Sequence, residues 1–299
     1  MPDFDAIIIG GSYAGLSAAM ALGRSRRRVL LLDTGRPCNR QTPHSHNFLT
    51  QDGATPAALH AQAIKQVLNY PSIELRAEEA TTATAVSGGF EIGTAAGNSF
   101  AAPKLLLATG VIDLLPALPG FAECWGISVL HCPYCHGYEV ADQRLGVVGN
   151  GDVGFEFARL IHNWSPQLTL FTDGPSTLSP AQQHVLARHG ITVEETPLAG
   201  IAHTQGQLQA VQLADGTAYP RDAVFARVPF EQAGTLPRQL GCAFTEMGHV
   251  QVDDFQRTNV PGLFAAGDAT TPFRAVSAAV AAGGKAGALM NMELIAENF

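Results

Sequence analysis

Charge is scarce in this sequence: Asp, Glu, Lys and Arg supply 15% of its 299 residues, against the quarter usual in soluble domains. The charge present leans acidic, with 18 Lys+Arg against 26 Asp+Glu for a net −8, which argues against a nucleic-acid partner held by its phosphates. No uncharged apolar run reaches the roughly 18 residues a membrane-crossing helix requires. The opening Met1-Pro2-Asp3-Phe4-Asp5 is acidic and leads into an apolar run, unlike a signal peptide. Cysteine is sparse and odd in number, five in all, so a secreted disulfide framework is not expected and a cytoplasmic location is. Low-complexity tails and short-period repeats are missing as well. Glycine is what the chain has in quantity, 31 residues, as suits close backbone approaches to a nucleotide. The length fits two domains.

The apolar run Ala6-Ile7-Ile8-Ile9 reads as a strand, followed by Gly10-Gly11-Ser12-Tyr13-Ala14-Gly15 and a helix ending near Gly23. A second run, Val29 to Leu32, ends in Asp33. Strand, glycine turn, helix, strand and terminal acid form the βαβ dinucleotide unit. Glycines there let backbone amides approach a pyrophosphate, and the acid binds ribose hydroxyls. Ser12 stands at the middle glycine of G-x-G-x-x-G, small enough to leave the amide cradle intact. The pattern returns as Leu145-Gly146-Val147-Val148 and an intact Gly149-Asn150-Gly151-Asp152-Val153-Gly154. The next strand, Leu168 to Phe171, runs into Thr172-Asp173-Gly174, where an NADP site needs arginines for the 2′-phosphate. None is present and Asp173 repels a phosphate. Gly149, Gly151 and Gly154 therefore mark either a second nucleotide site or a turn kept for helix–strand packing. Ser179-Pro180-Ala181-Gln182 predicts a capped helix start, with Gly190 as its end.

Cys132-Pro133-Tyr134-Cys135-His136-Gly137 brings two thiols to C-x-x-C spacing. Such a pair is half of a zinc site or a redox disulfide whose attacking thiol has a lowered pKa. Cys38, Cys124 and Cys242 form no second pair, so no metal is expected. Cys38 and Cys242 read as small buried fillers.

Leu105-Leu106-Leu107-Ala108-Thr109-Gly110 resembles the Ala-Thr-Gly strand-turn of two-dinucleotide flavoproteins. Thr258 to Asp268, with Pro261-Gly262-Leu263-Phe264-Ala265-Ala266-Gly267-Asp268, resembles their second FAD motif. With the cysteine pair just before the second glycine turn, the chain resembles the low-molecular-weight thioredoxin reductases from end to end. The resemblance implies an α/β fold of two Rossmann-like, three-layer ββα domains, one inserted in the other. Residues 1–113 and 241–299 would bind FAD, and residues 114–240 would form the NAD(P)-like domain carrying the pair. It implies FAD on Gly10, Ser12, Gly15, Asp33, Thr109, Gly110, Gly267 and Asp268. Arg274, Ala275 and Val276 would open a small-residue helix (Ala278 to Ala288) facing the flavin.

His136 replaces the aspartate usual after the second cysteine, and the family's NADPH arginines are missing. In these respects Cys-Pro-Tyr-Cys-His-Gly is more similar to the dithiol oxidases of gliotoxin and holomycin type. The resemblance implies Cys132 as the thiol meeting substrate, Cys135 as the partner toward flavin, and His136 as the proton shuttle. His136 as a helix cap is the alternative. His44 and His46 are expected on a solvated loop and outside the catalytic set. Dithiol oxidation is the favoured activity, on a small dithiol or a thioredoxin-like protein, in a homodimer with FAD. NADPH is disfavoured and NADH left open. Two alternatives remain: a disulfide reductase fed by NAD(P)H or a donor such as ferredoxin, and a non-catalytic flavin-binding or sensing protein.

Overall fold

The four continuous apolar runs, Ala6–Ile9, Val29–Leu32, Leu145–Val148 and Leu168–Phe171, are all strands in a computed structural model of the chain. It describes Phe4 to Phe299, so Met1, Pro2 and Asp3 of the opening segment lie outside the described residues. Each of these strands is buried along its length, save for the half-buried Val148, as parallel strands covered on both faces must be.

Two compact units result. The first joins the chain up to Arg40 with Phe48–Ile112 and Phe230–Phe299; the second joins Gln41–Asn47 with Asp113–Pro229. The second unit is thus inserted into the first. The chain returns at Phe230 rather than at 241. Leu236, Leu240 and Cys242 are buried in the first unit's core, and Gln239 donates to Thr81 O (3.1 Å) while accepting from Ala83 N (2.9 Å). The sequence also gave no sign that 41–47 belongs with the second unit.

The two units repeat one plan. In the first, five parallel strands run in the order Leu263–Ala265, Lys104–Leu107, Ala6–Ile9, Val29–Leu32, Ile73–Arg76. One face packs on helices Tyr13–Arg24 and Val276–Asn298; the other packs on an antiparallel meander, Ala80–Val86, Gly89–Thr94 and Ser99–Ala102. In the second, the order is Thr192–Glu194, Leu168–Phe171, Leu145–Val148, Ala223–Ala226, Val129–Leu130. Helix Gly151–Ile161 covers one face through Phe155, Phe157, Ala158 and Ile161. The meander Leu198–Thr204, Gln207–Leu213 and Ala218–Pro220 covers the other through Ile201, Leu208, Val211 and Leu213. These are the three-layer ββα domains expected.

The last helix is longer than the Ala278–Ala288 stretch expected, running from Val276 to Asn298. Its far end is fixed by charge: the buried Lys104 ammonium donates to Glu293 (2.8 Å) and Glu297 (2.6 Å). Along its length, a Cβ on Gly283 would overlap the Ala14 carbonyl and one on Gly287 would crowd Ala18. These two glycines let the last helix lie directly on the first. No helix among the described residues is long and apolar enough to cross a membrane.

Candidate functional site

In the first unit, the turn after Ala6–Ile9 is built from close backbone approaches. Gly10 has φ +105°, and a Cβ there would overlap the Ala108 carbonyl; a Cβ on Gly15 would overlap the carbonyl of Gly10. Ser12 occupies the N-cap of helix Tyr13–Arg24 without making a side-chain cap. Asp33 accepts from Gly11 N (3.0 Å) and Gly35 N (3.1 Å), which fixes the acid at the strand end. His60, from helix Pro56–Val67, places Nε2 2.8 Å from Gly11 O and supports the turn from behind its carbonyl. Thr109 and Gly110 (φ +72°) follow the neighbouring strand Lys104–Leu107.

Asp268 sits in the 3-10 turn Gly267–Ala269, where Arg274 Nε lies 3.4 Å from its Oδ2. Ala275 is the N-cap of the last helix and Val276 its first residue, again with no side-chain cap. Cys38 departs from its expected role as a buried filler: the residue is exposed, and its Sγ donates to Asp268 Oδ2 at 3.6 Å. Loss of hydration around the sulfur, reinforced by that carboxylate, pushes the thiol up to about 11. Cys242 is buried, as expected.

These residues fit FAD. The glycine cradle admits a pyrophosphate where any side chain would collide, and two uncapped helix starts offer amides to its charge. Thr109 Oγ1 and Asn39 Oδ1 are buried with no hydrogen-bond partner among the described residues. Such orphans call for a ligand.

The second glycine turn differs. Asn150 caps helix Gly151–Ile161, its Oδ1 accepting from Gly151 N (2.8 Å), Thr177 N (2.9 Å) and Thr177 Oγ1 (3.1 Å). Its Nδ2 donates to Thr172 O (3.2 Å) and Pro175 O (3.0 Å). Gly149 and Gly154 pack backbone to backbone, and Gly151 has φ +55°. Asp152 adds negative charge in the first turn, and Asp173 (φ +52°) accepts from Leu198 N at 2.8 Å.

The cysteine pair follows the edge strand Val129–Leu130. Cys132 is the N-cap of a single-turn helix, Pro133–His136, and is disulfide-bonded to Cys135 with Cα atoms 5.3 Å apart. Gly137 caps the turn at its C-terminal end, where a Cβ would overlap the Pro133 carbonyl and press on the Trp164 indole. His136 is half-buried, and loss of hydration lowers its pKa, with Glu139 opposing the shift and His46 adding to it.

His46 is the residue the sequence reading left out. It belongs to the same unit as the pair, its ring perpendicular to His136 with centroids 6.3 Å apart and its Nε2 3.4 Å from Glu139 Oε1. His44 lies behind it, 6.2 Å between ring centroids. The available signal was Glu139, three residues after His136. Among the described residues no group of three His, Cys, Asp or Glu side chains is arranged to hold a metal ion.

Comparison with known proteins agrees with this geometry. Residues 4–283 match the family described as pyridine nucleotide-disulphide oxidoreductase. The chain is 33% identical over 310 residues to thioredoxin reductase tcpT of Claviceps purpurea, covering 98% of this chain and 95% of that one. Among solved structures, an oxidoreductase from Agrobacterium tumefaciens is 38% identical with a TM-score of 0.92, covering 98% of each chain. HlmI is 33% identical with a TM-score of 0.92, covering 98% of this chain and 93% of that one.

Proposed function

The chain belongs to the pyridine nucleotide-disulphide oxidoreductase family, and from that premise we propose that it is a dithiol oxidase. It is an FAD-dependent oxidoreductase of thioredoxin reductase-like type, acting on thiols and disulfides. The observation that supports the direction is the second glycine turn, where Asn150 occupies the helix start that a nicotinamide dinucleotide would need. Electrons then enter from a dithiol and not from NAD(P)H.

FAD would be held by Gly10, Ser12, Gly15, Asp33, Thr109, Gly110, Gly267, Asp268, Arg274, Ala275 and Val276, and when bound it supplies the two-electron acceptor. The remaining chemistry belongs to the second unit. A substrate thiolate attacks Cys132 Sγ, the Cys132–Cys135 bond breaks, and its electron pair leaves on Cys135. The second substrate thiolate attacks the substrate's own sulfur in the mixed disulfide and releases Cys132. His136 takes the substrate proton, its lowered pKa keeping the imidazole neutral and basic near neutrality. His46, against Glu139, is its positioning partner.

The partner is a small dithiol or a thioredoxin-like protein. Met292 and Ile295, exposed on the last helix, support a homodimer, which sedimentation equilibrium tests. Three cysteines outside the redox pair suit a reducing, cytoplasmic compartment. A reductase working in the opposite direction is the second reading, favoured by the names of relatives such as tcpT.

Anaerobic mixing of the holoenzyme with dithiothreitol, NADH and NADPH separates these readings. Dithiothreitol should bleach the flavin rapidly and the nucleotides should not. Cys132→Ser should retain FAD and lose the bleaching. Cys135→Ser should likewise lose the bleaching, and its Cys132 thiol should be captured as a mixed disulfide only when the oxidised, disulfide form of the substrate is supplied. Rapid bleaching by either nucleotide would overturn the direction, and unchanged bleaching in Cys132→Ser would remove the pair from the mechanism.

A further inference from the structure

The second unit carries an open groove of about 600 Å³, lined by Tyr134 of the redox turn and by Trp164, Leu160, Arg159, Glu156 and Arg227 among others. Its size suits a small molecule. Tyr134 lies between the two cysteines in the chain, and its ring meets the Trp164 indole edge-on with centroids 5.7 Å apart. Trp164 in turn abuts Gly137, which closes the redox turn. One wall of the groove is therefore continuous with the disulfide helix.

The groove's charges are not equivalent. Arg159 is neutralised by Glu156 at 2.6 Å. Arg227 forms no ion pair among the described residues; its guanidinium stacks over the Phe157 ring, 4.5 Å from the centroid. Stacking holds the planar fork in one orientation and leaves its edge donors for an anion. Tyr134, Trp164 and Leu160 supply apolar surface in the same groove. In a chain with net charge −8, this is a local site for a negative group.

We propose that this groove selects the substrate: a small dithiol with an apolar body and a carboxylate, the carboxylate engaging Arg227 and the body lying along Tyr134 and Trp164. This rests on the dithiol-oxidase reading and adds the substrate class to it. The chemistry is the exchange given above: two substrate S–H groups become one S–S bond while the Cys132–Cys135 bond becomes two thiols; bound FAD would accept their electron pair, and dioxygen would take that pair on as hydrogen peroxide in turnover.

Dihydrolipoate and dihydrolipoamide test it, because they differ only in carboxylate against carboxamide. The holoenzyme should favour dihydrolipoate in kcat/KM by about tenfold or more, the range of a charge-assisted contact. Arg227→Met should bring the ratio close to one, and Arg227→Lys should restore part of it. Arg188→Met, at the exposed end of helix Pro180–Arg188, should leave the ratio unchanged. Calorimetric binding of oxidised lipoate should weaken in Arg227→Met by a similar factor, which separates lost recognition from lost folding. If dithiothreitol bleaches the flavin while the parent treats the two compounds alike, the groove proposal falls and the oxidase reading stands. Displacement of lipoate by NADH would assign the groove to a nucleotide and overturn the proposal. If no dithiol bleaches the flavin, both fall.

Discussion

At the first glycine turn the helix start carries no side-chain cap and an acid is fixed at the next strand's end, whereas at the second Asn150 folds its own amide over the equivalent position. Both turns need their glycines, but for different neighbours. Gly10 and Gly15 clear the adjacent strand and the turn itself, while Gly149 and Gly154 press helix against strand and a Cβ on Gly151 would crowd Thr177. A glycine fingerprint reports close backbone packing; the residues between the glycines decide whether a phosphate can enter. Ser12 leaves the helix amides open, and Asn150 takes up the first amide of its own helix.

The sharpest way to break this comparison is to add one methyl group to each turn. Gly15→Ala places a Cβ on the Gly10 carbonyl and should yield colourless protein, read from flavin absorbance after purification. Gly154→Ala should retain FAD and lose about 1–3 kcal/mol in urea unfolding, as overpacking does. Colour retained in the first variant, or lost in the second, would show that the turns do not differ as described.

Proton handling gives a smaller effect, confined to the second unit. His136→Ala should slow dithiol-driven flavin reduction by about 10²–10⁴-fold. In the parent, the acid limb of that rate should lie below the ordinary imidazole value, because burial favours the neutral ring. Glu139 stabilises the imidazolium, so Glu139→Gln should move the limb to still lower pH. His46 opposes the imidazolium, so His46→Asn should move it up. Stopped-flow pH profiles read both signs, and a shared direction would separate His136 from this cluster.

Smaller again is the cost of opening the second turn. Asn150→Ala removes its cap and the bonds to Thr177, and should destabilise by about 1–2 kcal/mol while gaining no NADPH activity. Asp152 and Asp173 would still repel the phosphates. The mildest change is Ser179→Ala, which removes one side of a complete capping box and should cost about 1 kcal/mol.

The regular parts of the fold were legible because their causes are local. Continuous apolar runs gave the central strands, and the Ser179 box with Pro180 gave a helix start to the residue. The FAD motif at Leu263–Asp268 was legible as a string because strand, glycine and acid are adjacent in the chain. What escaped depends on partners distant in sequence. His46 lies on a loop between two segments of the first unit, yet its ring stands against His136 some ninety positions away. Cys38 looked like a filler because nothing nearby in the chain announces Asp268, its hydrogen-bond acceptor. The return point moved to Phe230 because Leu236 and Leu240 are claimed by a core assembled from the chain's other end.

The fit of Gly283 and Gly287 against Ala14 and Ala18 has a consequence for how the protein is born. The first helix leaves the ribosome long before the helix that covers it. Strand Leu263–Ala265, at the edge of the same sheet, also arrives late. The second unit apart from Gln41–Asn47, Asp113 to Pro229, is in hand while the first still lacks its closing pieces. Because domains fold as units during synthesis, the redox turn can form on the nascent chain, while the flavin cradle waits for helix Val276–Asn298. A message truncated before the last helix would therefore leave a folded cysteine-bearing unit attached to an apolar helix face with nothing to cover it, a product suited to chaperones and proteases rather than to catalysis.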